Sequence, residues 1–414
     1  MGIKFGEKLR HARQQMKLTQ AQLGHGKYST SYISLLETGS REPTAEIITE
    51  LSARLNLDRE LMDSWNTPVS ADEAEFVLLE HRARQSFTAR EYSDAEATAT
   101  EAASVALRLK NSSAWWNMMF LRAEALRDQG RHDEYRTAAE EVLNHPLTDE
   151  SLALKVRAET LVANAYLGLG KLHIAVEHAI NAVEQGKNLP GDSLIYIGAL
   201  FSLIASLAES GQLDSAWNTC EALAEAVAEG APSQTAGNAY WAIGNVAFKR
   251  QDIAAGLSNH QLAAQRLLPA SDIEQWARFN KASASMRLAA GVVEPETLEC
   301  IEKAELAISV IGGNPAEALE LRLTRARWLH LNGQPEQALE ELAPVEADRE
   351  MLSQHLQGEI DLLTARCMVS MGKGTEAVEH LARAQQAFAL AGSPDRASLA
   401  IELATEIRAS RRNK

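Results

Sequence analysis

The sequence has few of the residues on which sheet-rich, disulfide-bonded and membrane-spanning proteins depend. Its 414 residues include 11 prolines, 24 glycines and 3 cysteines, and aromatic residues make up 5%. Scarce aromatics among abundant Ala, Leu and Glu favour helices and argue against an all-β fold. Cys220, Cys300 and Cys367 are too far apart to suggest a disulfide framework or a zinc site, so we expect small core residues in a reducing compartment. No run of 18 apolar residues and no signal peptide is apparent, which predicts a cytoplasmic protein with no membrane partner.

Positive charge is also scarce, and it is unevenly placed. The net charge of −15 argues against wholesale electrostatic coating of nucleic acid. Residues 1–45 carry +4 and residues 1–65 carry +1, whereas the remainder carries −16. We therefore expect any contact with DNA to be confined to the N-terminal segment. The length and an apolar content of 45% predict two or three globular units with sizeable cores.

Four or five short helices are predicted near the N-terminus. Apolar residues fall on one helical stripe between residues 3 and 16. Thr19 and Gln22 have the spacing of a capping box at the start of a second helix. A glycine-bearing turn at residues 24–26 would end this helix. Residues 31–37 predict a third helix. Two short helices joined by a tight turn are typical of the helix-turn-helix unit, whose second helix fits the major groove.

This segment resembles the Cro/C1-type, or XRE, family of helix-turn-helix domains. The landmarks occur in the family's order and spacing, and they are Thr19-Gln20, the run SYIS at 31–34, Glu37-x-Gly39 and Pro43. The resemblance covers about residues 3–62 and implies binding to a double-stranded DNA operator. It also implies that Arg13 and Glu37 pair and hold the first helix against the third.

The same resemblance assigns roles to individual side chains. Gln20, at the start of the second helix, and Arg41, in the loop after the third, would contact phosphates. The side chains that would face base edges are Thr30, Ser31, Tyr32 and Leu35. Small hydroxyls and one aromatic ring read bases weakly, so we expect DNA shape and deformability to supply part of the specificity. The alternatives are that Tyr32 packs between helices and that the domain has lost DNA binding.

The rest of the chain repeats a helical hairpin. A small residue near the start of a second helix, usually five residues after a turn glycine or its substitute, recurs every 39 to 41 residues. The positions are Ala95, Tyr135, Ala175, Ala216, Gly256, Thr297, Ala338 and Ala377. This period predicts eight hairpins over residues 72–392, which bury their apolar faces by stacking. The predicted domain at 1–65 would be followed by a linker at 66–71, and a capping helix at 393–414 would close the array.

The hairpins resemble tetratricopeptide repeats. The clearest lies at residues 156–187, where Ala163 and Ala175 would let two helices approach closely. Tyr166 would fill the gap between them, and Gly170 would make the turn. The family's usual period is 34, so these helices are expected to be longer. The resemblance implies an all-α fold in which a right-handed α-solenoid follows the helix-turn-helix domain, with first helices lining a concave groove.

The tetratricopeptide resemblance also implies which side chains face the groove. They are Phe120, Glu124, Asn164, Phe201, Trp241, Asn245, Arg327 and Arg366. Asn164 and Asn245 match an asparagine that holds the main chain of a bound peptide in peptide-binding members, because an amide both donates and accepts. A guanidinium at Arg327 or Arg366 could grip a carboxylate. Each asparagine could instead pack helices or be solvated, and each arginine could pair with a surface glutamate.

No catalytic or cofactor motif is apparent in the sequence. His173 and His178 are wrongly spaced for a shared metal, and no glycine-rich phosphate loop follows a strand. We therefore expect neither an enzyme nor a cofactor. The two-part order resembles the RRNPP group of peptide-pheromone receptors used in quorum sensing, which implies a homodimeric transcriptional regulator whose array binds a small signalling peptide that switches its dimer or DNA-binding state. The alternatives are control by a protein that docks on the repeats, and a repeat scaffold without DNA binding.

Overall fold

The computed structural model describes residues 2–65, 70–190, 193–228, 231–312 and 314–412. These residues are predominantly helical and contain no strand, which confirms the predicted all-α fold. The chain divides into two compact units, Met1–Arg131 and His132–Lys414.

Eight helices occur among the described residues of the first unit. The first five are short, and they are α1 (Gly2–Gln15), α2 (Gln20–Gly24), α3 (Thr30–Glu37), α4 (Ala45–Leu55) and α5 (Arg59–Ser64). Three long helices follow, and they are α6 (Ala71–Thr88), α7 (Tyr92–Arg108) and α8 (Ser112–Asp128). Residues 66–69 of the predicted linker lie outside the described residues.

Side-chain caps set where the short helices begin. Oγ1 of Thr19 accepts a hydrogen bond from the backbone of Gln22, whose side chain accepts one from the backbone of Thr19, so the predicted capping box is confirmed. Ser29 caps α3 with one hydrogen bond, which its Oγ accepts from the backbone of Tyr32. Between the two helices, His25 and Gly26 both adopt positive φ angles. These two left-handed residues turn the chain sharply from α2 into α3.

An apolar core unites the five short helices. Its fully buried members include Phe5, Leu9, Leu23, Ile33, Leu36, Leu51 and Met62. Near the end of α3 the backbone comes so close to α1 that a Cβ at Gly6 would lie under 3.0 Å from the carbonyl oxygen of Glu37. Glycine at this position therefore allows α1 to pack directly on α3.

The second unit begins with α9 (His132–Leu143) and the short α10 (Pro146–Asp149). Helical hairpins follow, and they are α11 (Leu152–Gly168) with α12 (Leu172–Gly186), α13 (Leu194–Glu209) with α14 (Leu213–Ala228), α15 (Ser233–Lys249) with α16 (Ile253–Ala264), α17 (Ile273–Ala289) with α18 (Pro295–Ile311), α19 (Pro315–Leu331) with α20 (Pro335–Ala347), and α21 (Gln354–Ser370) with α22 (Gly374–Leu390). A 3₁₀ turn at Arg349–Met351 precedes α21, and α23 (Pro394–Arg412) follows α22. Successive first helices, from α11 to α21, contact one another as well as their own partners.

The residues that mark the repeat are buried at every position. They are Ala95, Tyr135, Ala175, Ala216, Gly256, Thr297, Ala338 and Ala377. Tyr135 and Thr297 are larger than the usual alanine, and each donates its hydroxyl to a backbone carbonyl, at 3.0 and 3.2 Å respectively. The turns before these positions pass through a positive φ at glycine in most hairpins, and at Arg90 and Gln251 in two.

Two glycines let α15 and α16 meet closely. A Cβ at Gly256 would lie 2.8 Å from the ring of Phe248, and one at Gly244 would lie under 3.0 Å from the ring of His260. The rings of Phe248 and Phe279 flank His260, with centroids 5.1 and 5.7 Å from its own. The imidazole therefore has no room to yield to a larger side chain at position 244.

Buried His260 is also held by hydrogen bonds at both ring nitrogens. Nε2 lies 3.2 Å from Oδ1 of Asn245, and Nδ1 lies 3.0 Å from Oγ of Ser283. Burial, with the positive charge of Arg287, lowers the pKa of His260 to about 4. The ring is therefore neutral at pH 7. With Oδ1 of Asn245 as acceptor, the proton lies on Nε2 and the hydroxyl of Ser283 donates to Nδ1.

The last helix, α23, covers the end of the stack. Leu399, Leu403 and Ile407 pack against a buried cluster contributed by α21 and α22 that includes Phe388. They belong to the single apolar stripe that the sequence places on this helix. The apolar side chains of α21 and α22 thus meet α23 instead of water.

We expect Gly244→Ala to lower the free energy of unfolding by about 1–3 kcal/mol, because its Cβ would overlap the immobile ring of His260. Gly198→Ala in α13 is the matched control, since nothing lies within 4 Å of its added Cβ. That change should raise the free energy of unfolding by about 0.5–1 kcal/mol through helix propensity. Urea unfolding followed by circular dichroism checks both values, and a shift of the same sign in both variants would contradict the close approach.

Stability should fall between pH 7 and pH 5 in a way that depends on His260. Its folded pKa of about 4 lies below the ordinary value of 6.5, so only the unfolded chain gains a proton over this range. The His260 contribution to the free energy of unfolding should therefore drop by about 2 kcal/mol from pH 7 to pH 5. Urea unfolding of wild type and His260→Gln at both pH values measures this drop as a change in their difference. A difference that is constant with pH would overturn the prediction.

Candidate DNA-binding and ligand-binding sites

One side of α3 packs into the core of the first unit, and the other side is open to solvent. Ile33 and Leu36 are buried, whereas Thr30, Ser31 and Leu35 are exposed. Leu35 leaves 43% of its surface in water. The open side therefore presents two hydroxyls and an apolar patch, which suits contact with base edges and thymine methyl groups.

Tyr32 and Arg41 border this open side. The guanidinium of Arg41 lies 4.7 Å from the centroid of the Tyr32 ring, a distance at which a cation is attracted to an aromatic face. Tyr28 stacks on the same ring at 5.5 Å, and the ring also packs against the core cluster. Tyr32 is thus half-buried, and it both packs and positions Arg41.

Glu37 connects the first three helices. Arg13 donates two hydrogen bonds to its carboxylate, at 2.5 and 3.0 Å, which confirms the predicted pairing. The hydrogen bond to Glu37 raises the pKa of Arg13. Gln20 donates to the same carboxylate at 2.8 Å. The phosphate contact predicted for Gln20 would therefore have to share this side chain with Glu37.

Tyr28 is a residue of this region that the sequence reasoning did not single out. Its hydroxyl donates to Glu50 at 3.0 Å, and Glu50 is also paired with Lys27 and Arg54. Arg54 in turn donates to the two backbone carbonyls that end α2. This network fixes the turn before α3. The sequence signal that could have drawn attention to Tyr28 is its four-residue spacing from Tyr32.

The predicted groove residues fall in both units. Phe120 and Glu124 lie one turn apart on α8 of the first unit and are half-buried, and Phe120 stacks on Trp116 with ring centroids 5.2 Å apart. The others belong to first helices of the second unit, and they are Asn164, Phe201, Trp241, Asn245, Arg327 and Arg366.

Asn164 and Asn245 each use the carbonyl oxygen of the amide inside the protein. Oδ1 of Asn164 accepts a hydrogen bond at 2.8 Å from Ser202 on the next first helix. Oδ1 of Asn245 faces His260. In the part of the chain that the structure describes, neither amide nitrogen has a hydrogen-bond partner. Each half-buried side chain therefore keeps an N–H donor available for a ligand carbonyl.

Trp241 and Phe201 are partly packed against their neighbours. Trp241 meets Phe279 edge-on with ring centroids 5.8 Å apart, and Phe201 packs against the apolar cluster of α11 to α15. Nε1 of Trp241 is nevertheless buried without a hydrogen-bond partner among the described residues. A buried donor without a partner is unusual in a folded protein.

A polar stripe runs along α15 on the side that carries Trp241. It consists of Gln234, Asn238, Trp241 and Asn245, which are spaced four, three and four residues apart and are all half-buried. Both amide atoms of Gln234 are buried without a partner within the described ranges, while Oδ1 of Asn238 accepts from Gln275 at 2.7 Å. The sequence reasoning missed Gln234 and Asn238, although their helical spacing from Trp241 was visible.

Three arginines lie near one buried carboxylate at the C-terminal end of the array, and two of them bind it. Glu359 accepts hydrogen bonds from Arg327 at 3.1 Å and from Arg396 at 2.6 Å. Arg366 makes no ion pair with any described residue, and burial of part of its side chain, with the charges of Arg396 and Arg327, lowers its pKa. This arginine cluster, Arg327, Arg366 and Arg396, is locally positive within an acidic array.

Arg366 also lines a cleft of about 500 Å³. Apolar walls come from Val369, Leu403 and Ile407, and Glu406 lines it as well. The arrangement suits a group that combines a carboxylate with an apolar side chain.

The cysteines occupy the interior, as the sequence predicts. All three are buried and free, and burial raises the pKa of Cys220 to about 12 and that of Cys367 to about 11. Such thiols are poor nucleophiles. Searched over the described residues, the chain brings together no group of three His, Cys, Asp or Glu side chains that could hold a metal ion. None of the described helices is long and apolar enough to cross a membrane.

No curated protein sequence matches the chain. Among solved structures, the Rap protein complexed with competence and sporulation factor is 11% identical over 98% of both chains, with a TM-score of 0.52. PlcR of Bacillus thuringiensis, solved with the peptide PapR7 and DNA, is 15% identical over 68% of this chain and 99% of its own, with a TM-score of 0.44. BtubC from P. vanneervenii is 14% identical over 59% and 94% of the two chains, with a TM-score of 0.43. The likeness to the Rap protein shows a shared fold, and the two weaker likenesses add nothing to it.

A family model described as a helix-turn-helix domain matches residues 4–65. The match covers α1 to α5, including the capped α2, the left-handed turn and the half-open α3. The chain therefore has a helix-turn-helix domain at residues 4–65, and an array of helical hairpins follows this domain.

Proposed function

We propose that the protein is a transcriptional regulator that binds operator DNA through α3 and binds a small signalling peptide on its repeat array. The observation that carries the first part is the helix-turn-helix match over residues 4–65 together with the open side of α3. The excess of positive charge within residues 1–45 supports contact with phosphates at the same end of the chain.

The polar stripe on α15 supports a peptide as the ligand. Between Gln234 and Asn245 the helix rises by roughly 16 Å at 1.5 Å per residue, which is about the length of five residues of extended peptide. An extended peptide offers backbone donors and acceptors along its length, and unpaired amide groups are their natural partners. The stripe leaves both atoms of the Gln234 amide and Nε1 of Trp241 without partners among the described side chains.

The arginine cluster supports a carboxylate on that ligand. Arg366 forms no ion pair among the residues described, and Glu359 is already shared by two arginines. A guanidinium in this setting gains more from a carboxylate than one in open solvent does. We therefore place a carboxylate of the peptide, such as its C-terminus, beside Arg366 and its apolar neighbours.

Homodimerisation and switching complete the proposal. Helix-turn-helix regulators commonly read two half-sites about one helical turn apart, and such a site calls for two copies of the domain. A peptide that binds one arrangement of the array more tightly than another would shift the dimer toward it and change how two domains reach their half-sites.

DNA recognition can be tested with two hydroxyls of α3. Thr30→Ala combined with Tyr32→Phe removes both hydroxyls but keeps the ring that packs on Tyr28. Fluorescence anisotropy should show that the affinity for a duplex from just upstream of the gene falls about tenfold relative to the affinity for a scrambled duplex. Arg41→Gln should weaken binding to both duplexes alike, and it should reduce the slope of log affinity against log salt concentration by about 1. Arg59→Gln, an equal charge change on α5, is the control and should alter neither the affinity nor the salt slope. Unchanged specificity in the Thr30→Ala, Tyr32→Phe variant would refute the assignment of α3.

Ligand binding can be tested on the full chain purified from its own host. Native mass spectrometry should reveal a bound species of about five to ten residues. Gln234→Met should reduce its occupancy at least tenfold, because the variant keeps the shape of the side chain but loses its amide. Gln265→Met, at the exposed end of α16, is the control.

The alternatives predict different results in the same experiment. A ligand-free protein that binds DNA tightly would contradict peptide control and favour regulation by a docked protein. No DNA binding at all would leave a repeat scaffold.

A further inference from the structure

A small cavity formed by α16, α17 and α18 contains a buried arginine that forms no ion pair with any described residue. The cavity measures about 280 Å³, and Arg287 is one of its lining residues. Arg287 is only 8% exposed, and its Nε has no hydrogen-bond partner in the parts of the chain that the structure describes. Over the described residues it forms no ion pair. None of the side chains predicted to bind a ligand in the groove lines this cavity.

The other buried polar groups of the cavity already have partners. Ser283 receives a hydrogen bond from the thiol of Cys300 at 3.8 Å and donates to Nδ1 of His260. His260 uses its remaining nitrogen on Asn245. Burying an unpaired charge is unfavourable, so an anionic group beside Arg287 would stabilise it, and no described residue forms an ion pair with it.

The opening of the cavity carries the opposite charge. Glu294, Glu296 and Glu299 line it and are exposed, and Glu299 pairs with Lys303 at 3.1 Å. Glu294 and Glu296 have no ion pair in the described parts of the chain. A simple anion would meet these carboxylates on its way to Arg287. A zwitterion would satisfy both charges.

We propose that this cavity binds a free α-amino acid with an apolar side chain. The carboxylate of the ligand pairs with Arg287, and its ammonium faces Glu294 and Glu296. Leu257 and Phe279 supply apolar wall for the side chain. A volume of about 280 Å³ equals that of roughly nine water molecules in the liquid, which is enough for a free amino acid with an apolar side chain.

Isothermal titration calorimetry of the full chain tests the proposal with leucine, isoleucine, valine, methionine and phenylalanine as separate probes. At least one should bind, and its analogues lacking either the ammonium or the carboxylate should bind at least tenfold more weakly. Arg287→Met should abolish binding, whereas Arg278→Met, on the exposed side of the same helix, should retain it. If none of the five amino acids binds wild type, the proposal is wrong.

The stability of ligand-free Arg287→Met separates a ligand site from a purely structural arginine. Removal of an unpaired buried charge should raise the midpoint of thermal unfolding. A lower midpoint with amino-acid binding unchanged would show that a glutamate of the opening closes onto Arg287, and would overturn the proposal.

A second variant keeps the test decisive if Arg287→Met does not fold. Glu294→Gln with Glu296→Gln should weaken amino-acid binding at least tenfold while leaving the binding of the carboxylic-acid analogue equal or tighter. The assigned orientation would be contradicted if the binding of both probes were weakened equally, or if the binding of neither were weakened.

Discussion

Close approach of neighbouring helices at small side chains is the constraint on which the repeat array depends. Ala175, Ala216 and Ala338 have only a methyl group as side chain, and each is fully buried. Where the chain places a larger residue, as at Tyr135 and Thr297, its hydroxyl donates to a backbone carbonyl. The hydroxyl of Thr297 reaches Val292 in the turn before its own helix, whereas that of Tyr135 reaches Leu161 on α11. Because second helices are held in this way, successive first helices also meet, and a stripe of polar side chains such as that of α15 stays at a fixed position.

The features predicted from the sequence are those encoded over short distances. The Thr19–Gln22 capping box needs only a few residues, and the repeat positions need only a small side chain at a regular interval. The partners of Asn164 and Asn245 were not predictable, because Ser202 and His260 reach them only after hairpins pack. The polar spacing along α15 was visible in advance. Burial distinguishes such a stripe from a solvated helix face, and burial depends on neighbouring helices.

In the strongly acidic array, each buried acid among the described residues is paired with a base. Glu159 bonds to His178 and raises the pKa of that histidine. Although burial opposes it, hydrogen bonds from His380 and Arg349 lower the pKa of Asp361. Glu359 is shared by two arginines. Excess negative charge is therefore a property of the solvated faces, and it does not decide what the interior or a cleft will bind. Local pairing decides that, which is why a carboxylate can be accommodated beside Arg366 in a chain of net charge −15.

Arg287 departs from this pairing, and its position links two surfaces of the array. Its charge helps to lower the pKa of His260, and His260 holds Oδ1 of Asn245 on the polar stripe of α15. A carboxylate that neutralised Arg287 would remove part of that influence and make His260 easier to protonate. Protonation would turn Nδ1 into a donor, so Ser283 would have to reorient its hydroxyl. An amino acid in the cavity would thus act on His260 through the charge of Arg287, and a peptide on the stripe would act on it through Asn245. Any effect of one ligand on the affinity for the other would be reciprocal.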